Sequence, residues 1–144
     1  MRAHLFTKTE LKVIPTDGGN VFHGYLKNNP DKIDIHEVYF STIKENQIRG
    51  WKMHKKMTVN LIVPIGKVKV HLIHENDKEG EYQRYEEILC QSPYFRLSIF
   101  PGTWFAFEGL SKSESLICNI ANLPHDPLEV SRKDFSFFHD YYMK

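Results

Sequence analysis

Apolar side chains recur at every second position through much of this chain, which is the spacing of half-buried β-strands. Val68, Val70 and Leu72 alternate with Lys67, Lys69 and His71. A strand there turns the valines inward and the charges outward. Val59, Leu61 and Val63 alternate with Thr58, Asn60 and Ile62, and Leu97 and Ile99 with Arg96 and Ser98. Leu116 to Ala121 is a further short apolar run. Turn-forming groups separate these runs: Asp17-Gly18-Gly19-Asn20, Asn29-Pro30-Asp31, Lys44-Glu45-Asn46, Pro64-Ile65-Gly66, Glu75-Asn76-Asp77, Pro101-Gly102 and His125-Asp126-Pro127. Short strands at such intervals predict an all-β sandwich or barrel. Helical periodicity is weak everywhere, and the best candidate for a short helix is Arg132 to Tyr142. No repeat, low-complexity tract or linker interrupts the pattern, so residues 1–144 are expected to form one domain.

Composition narrows the function classes. The 144 residues are 41% hydrophobic and 26% charged, a globular balance. A formal net charge of +1 gives no electrostatic case for a nucleic-acid or membrane partner. No stretch reaches the apolar length needed to span a bilayer. Lys8, Glu10 and Lys12 break up the first segment, which argues against a signal peptide. Cys90 and Cys118 lie in apolar runs and read as free buried thiols of a reducing compartment. A cytoplasmic location is expected.

Chemistry concentrates in Arg49-Gly50-Trp51-Lys52-Met53-His54-Lys55-Lys56-Met57, just ahead of a strand. At the mouth of a barrel, such cations hold phosphates and such a histidine acts as a general base. Composition alone equally fits an exposed basic turn.

The ordered motifs resemble the dTDP-4-dehydrorhamnose 3,5-epimerase family and the related dTDP-sugar 3,4-ketoisomerases, both of them cupins. Asp17 to Phe22 is similar to the opening Asp-x-Arg-Gly segment. Tyr39-Phe40-Ser41, followed by Ile48-Arg49-Gly50, resembles the strand leading into the Arg-Gly-x-His motif. His54-Lys55-Lys56-Met57 with Pro64-Ile65-Gly66 resembles the ketoisomerase His-Lys-Lys-Leu segment and the glycine after it. Phe100-Pro101-Gly102-Thr103-Trp104-Phe105 with Leu110-Ser111 resembles the Pro-x-Gly-x-x-His turn and its leucine-serine pair. The likeness spans about Asp17 to Asp134.

The resemblance implies a cupin-type double-stranded β-helix, a jelly-roll barrel, with an early strand exchanged in a homodimer. It also implies epimerisation or ketone migration on a nucleotide-linked 4-keto-6-deoxy sugar, in deoxysugar synthesis for a surface polysaccharide such as lipopolysaccharide. A ketone acidifies its neighbouring C–H bonds because the resulting carbanion is an enolate. That chemistry needs a base and an acid and calls for no cofactor. By motif position His54 is the base, and its reference pKa suits the task. Arg49 is the ligand for phosphate or sugar, joined by Lys55, Lys56 and Trp104. Tyr39 is a cavity acid or hydrogen-bond donor, and Asp134 is the carboxylate that orients the base.

Three departures qualify the resemblance. Cys118 stands where the epimerases carry a tyrosine acid, Phe105 replaces the histidine of the turn, and Lys52 occupies the position directly after the family's Arg-Gly-x. These changes argue against 3,5-epimerisation. A non-catalytic cupin that binds a sugar nucleotide or a partner protein is the competing reading. A metal cupin lacks support: Lys52 and Phe105 replace two of its ligands, and His71 and His74, three apart on a strand, point to opposite faces.

Overall fold

The computed structural model describes residues 5–27 and 32–138. Each alternating run forms a strand, in the order β1 (Phe6–Glu10), β2 (Val13–Thr16), β3 (Gly19–Phe22), β4 (Glu37–Ile43), β5 (Ile48–His54), β6 (Val59–Ile65), β7 (Val68–Glu75), β8 (Tyr82–Leu89), β9 (Phe95–Ile99), β10 (Trp104–Gly109), β11 (Ser115–Ala121) and β12 (Val130–Arg132). Most of the expected turn residues lie between them, although Gly19 and Asn20 begin β3, Pro64 and Ile65 end β6 and Glu75 ends β7; Asn46 and Gly102 supply the positive φ angles that tight reversals need. The Asn29-Pro30-Asp31 turn falls outside the described residues.

Two antiparallel five-stranded sheets carry the fold. One has the order β1-β9-β6-β11-β4, the other β12-β5-β10-β7-β8, and β2 and β3 pair as a separate hairpin. This is the expected jelly roll, with neighbouring strands far apart in sequence. Within Arg132 to Tyr142, where a short helix is expected, only a single 3-10 turn is seen among the described residues. Arg132 ends β12, a 3-10 turn spans Phe135–Phe138, and the remainder lies outside the described residues. Among the described residues no helix is long and apolar enough to cross a membrane.

Val59, Leu61, Val63, Val68, Val70, Leu72, Leu97 and Ile99 all enter the core between the sheets, as their alternation predicts. Several of their outward neighbours are not left to water. Asn60, His71, Arg96 and Ser98 are buried as well. On the first sheet, Ser98 donates to the Asn60 side chain at 2.6 Å. Arg96 donates to the Gly24 carbonyl at 2.8 Å and lies over the Tyr25 ring. On the second sheet, Trp51 donates its indole N–H to the Phe135 carbonyl at 3.0 Å, beside Phe138. Both outer faces thus acquire a cover from chain segments remote in sequence, and each buried polar group gains partners in exchange for lost water. The cysteines are free as expected, but half-buried rather than buried.

Candidate active site

Strand β5 positions the site. It pairs with β10 on one side and β12 on the other. Alternation sends Trp51 to the outer face, against Ile73, Trp104 and Phe138, and sends Lys52 and His54 to the inner one. Gly50 sits where the β5–β10 register shifts between Phe105 and Ala106. Its φ of +144° and the closeness of Ala106 leave no room for a side chain: an added Cβ would stand 2.5 Å from that of Ala106. The tight crossing brings Arg49 and Lys52 to the barrel mouth.

His54 is buried, with a relative exposure of 6%, and its ring stacks on Phe105. Its Nδ1 hydrogen-bonds Glu129 Oε1 in a short contact. The other carboxylate oxygen of Glu129 accepts from the backbone amides of Lys56 at 3.0 Å and Met57 at 3.1 Å. An ionised carboxylate only accepts, so Nδ1 carries the proton and Nε2 holds the lone pair of the neutral ring. Burial lowers the proton affinity of His54 below the ordinary histidine range; Glu129 opposes this, and nearby Lys52 and Arg132 reinforce it. Burial also opposes ionisation of Glu129, but the bonds from His54, Lys56 and Met57 outweigh it and hold the carboxyl below the usual glutamate value. The result is a neutral imidazole of fixed tautomer, which is what a general base requires.

A cavity of about 250 Å³ opens beside His54, lined by Glu37, Tyr39, Lys52, Met57, His125 and Val130. The Tyr39 hydroxyl accepts a 2.6 Å bond from Asn119, which leaves its own proton to point elsewhere. Burial raises the Tyr39 pKa, so the phenol stays protonated; the Asn119 bond opposes that shift. A second cavity, about 230 Å³, is walled by Phe105 and Phe107 and ringed by Arg49, Lys52, Arg132 and Lys133. Arg49 is anchored across the mouth by donating to the Thr42 carbonyl at 3.0 Å. Each space alone is smaller than an ordinary ligand pocket, about 300 Å³ or more. Lys52 borders both, so the two lie side by side.

The structure brings His54, Tyr39 and Arg49 to this mouth and leaves other expected residues elsewhere. Asp134 does not reach His54: it is exposed and accepts from the amide and hydroxyl of Ser136 at the start of the Phe135–Phe138 turn. Glu129 does the orienting in its place, because β12 lays Val130 against His54 in register. Trp104 is buried on the outer face with Trp51 and Phe138, since it precedes the inward Phe105 on an alternating strand. The Lys55 and Lys56 side chains are exposed and border neither cavity; their backbone amides hold Glu129 through its carbonyl and carboxylate instead. Sequence reasoning missed Glu129, Lys52 and Arg132. For Lys52 a signal existed, because residues two apart on a strand share a face and His54 was already marked. Glu129 had none: it follows a turn and lies 75 residues from its partner. Among the described residues no three His, Cys, Asp or Glu side chains gather as a metal site.

Comparison with known proteins gives a consistent picture. The model of the family described as FdtA, WxcM-like, C-terminal matches residues 7–142. No curated protein sequence matches the chain. Among solved structures, the chain is similar to a dTDP sugar isomerase from Desulfovibrio desulfuricans G20, at 28% identity and a TM-score of 0.84, over 90% of this chain and 83% of that one. A histidine-to-asparagine variant of the 3,4-ketoisomerase QdtA from Thermoanaerobacterium thermosaccharolyticum, in complex with TDP-4-keto-6-deoxyglucose, shares the fold at 23% identity. Its TM-score is 0.69, over 99% of this chain and 94% of that one. The rmlC epimerase of Mycobacterium tuberculosis shares it at 10% identity and a TM-score of 0.79, over 94% and 72% of the two chains.

Proposed function

The chain belongs to the FdtA, WxcM-like C-terminal family, and from that premise we propose that it isomerises or epimerises a dTDP-linked 4-keto-6-deoxy sugar. The observation that carries this reading is the neutral His54 imidazole, fixed by Glu129, facing a cavity large enough for a sugar ring. His54 Nε2 takes a proton from a carbon beside the ketone. Return of the proton to the opposite face inverts that carbon, whereas its delivery to the former carbonyl carbon moves the ketone. The neighbouring cavity, with Arg49 and Arg132 at its rim, takes the diphosphate through paired N–H donors. Tyr39 offers its hydroxyl as a hydrogen-bond donor to a sugar oxygen and keeps its proton.

The histidine spacing after Arg49-Gly50 favours ketone migration between C4 and C3. The setting is deoxysugar synthesis for a surface polysaccharide, in the cytoplasm. The protein acts as a homodimer; supporting this, the outer face of edge strand β4 exposes Val38 (49%) and Phe40 (63%), a cost that a partner surface removes.

The test is exchange in deuterated water with dTDP-4-keto-6-deoxyglucose, read by mass spectrometry. Deuterium at C3 or C5 is expected with the native protein and absent with His54→Asn, which still binds dTDP. If several 4-keto sugars all remain unlabelled while the protein binds them, the chain is a binding module and the enzyme reading fails.

A further inference from the structure

Lys52 is the side chain that the two cavities share, and nothing so far uses it. It lies two residues before His54 on β5, so both project from the same face of one strand. Opposite it in register stands Arg132 on β12, and Arg49 lines the second cavity with it. Among the described residues no carboxylate forms an ion pair with it. A half-buried ammonium with two guanidiniums for company lacks the partner that such a charge normally has. The missing negative charge is one that a ligand can bring.

We propose that Lys52 is the acid that works opposite His54, protonating the sugar's carbonyl oxygen as the neighbouring carbon loses its proton. This rests on the reading above. The step balances as follows. Nε2 of His54 bonds to the proton on carbon; the C–H electron pair becomes the C=C bond of the enol. The carbonyl π pair moves to oxygen and takes a proton from the Lys52 ammonium. The site then holds an imidazolium, a neutral amine and a neutral enol, with total charge unchanged. In the collapse the His54 imidazolium gives its proton to carbon and a hydroxyl of the enol gives its proton back to the Lys52 amine, which restores both groups.

The alternatives around the cavity fit this role less well. Burial holds the proton on the Tyr39 phenol, which leaves it a hydrogen-bond donor rather than an acid. Glu37 is an acceptor when ionised, and His125 is an exposed loop residue. Lys52 releases its proton below the usual lysine range because burial and then Arg132 and Arg49 disfavour the ammonium, with Glu129 acting weakly the other way. An oxyanion forming beside it relieves the unfavourable setting, which makes the interaction stronger in the transition state than before it.

The experiment compares native protein, Lys52→Met and Lys52→Arg in the same deuterium-exchange assay, with kcat and KM taken across pH. Circular dichroism confirms that each variant is folded. Lys52→Met is expected to lower kcat roughly a hundredfold or more with little change in KM. Lys52→Arg keeps the charge, cannot deliver a proton readily, and is expected to recover only part of kcat while the alkaline limb of the profile disappears. If Lys52→Met raises KM at full kcat, the residue only binds phosphate and the proposal is overturned. Normal kinetics with an unchanged alkaline limb in Lys52→Arg overturns it too, and that variant decides the matter if methionine does not fold. Absence of exchange in the native protein would instead remove the functional reading beneath it.

Discussion

His54 and Glu129, 75 positions apart in sequence, form one unit: a ring N–H held by a carboxylate that two backbone amides hold in turn. The orientation of the His54 ring therefore depends on the loop that delivers Glu129. Asp126 stabilises that loop by accepting from the Leu128 amide at 3.0 Å.

Exchanging Glu129 for glutamine keeps the shape and removes the charge. The single amide oxygen cannot serve both the imidazole N–H and the Lys56 and Met57 amides, and the charge that stabilises the protonated ring is gone. Glu129→Gln is expected to cut the exchange rate at least tenfold, with the acidic limb of the rate profile shifted to lower pH. Asp134→Asn, by contrast, is expected to leave the rate within a factor of two, since Asp134 only caps a turn at the surface. Steady-state rates of the two variants side by side test the assignment of the partner carboxylate.

Acid should destabilise the fold from mildly acidic pH downward. His54 has a folded pKa below its ordinary 6.5, so the unfolded chain takes up a proton first as pH falls through that value. Glu129 is depressed below 4.5, and the same sign applies lower down. Stability is thus fully present above about pH 6.5 and lost in two stages below it. Urea midpoints measured from pH 8 to pH 4 should show this decline, and His54→Asn should reduce its upper stage, to which His71, likewise depressed by burial, also contributes.

Gly50 is predicted to be irreplaceable at the β5–β10 crossing. Gly50→Ala puts a methyl group 2.5 Å from the Ala106 side chain at a φ that L-residues avoid, at a cost of about 2 kcal/mol or more. Gly80→Ala provides the control: φ is also positive there, but nothing lies within 4 Å. Its cost should stay near 1 kcal/mol, about that of the backbone strain alone. Thermal melts of the two variants check the difference, and Gly50→Ala should also lose exchange activity because Lys52 and His54 follow it on the strand.

The proposed dimer makes a direct prediction at β4. Phe40 faces outward in register with Cys118, and Val38 with Ile120. Phe40→Asp should yield monomers by sedimentation while leaving the fold intact. A native protein that sediments as a monomer at micromolar concentration would dispose of the dimer.

The strands were legible because a two-residue period is a local property: each half-buried strand writes its own pattern, and Val68, Val70 and Leu72 follow it to the core. What lies over the outer faces was not legible. Lys69 and His71 carry the same pattern of polarity, yet Lys69 stays partly exposed, whereas His71 is buried and hydrogen-bonds Glu108 at 2.9 Å. Alternation reports which side of a strand is polar and is silent about whether another segment covers it.

The same division runs through the site. Residues of one strand were readable together, so His54 and Arg49 could be chosen from a single motif, and Lys52 with them had its shared face been used. Sequence by itself determined the β class, most of the turns, the inward positions and the segment that holds His54. Only the tertiary structure decided that Glu129, and not Asp134, meets the imidazole, and that Trp104 packs away from the cavity. Partner choice of that kind depends on strand register between distant segments, which is set by the packing of the whole barrel and leaves no local trace in the chain.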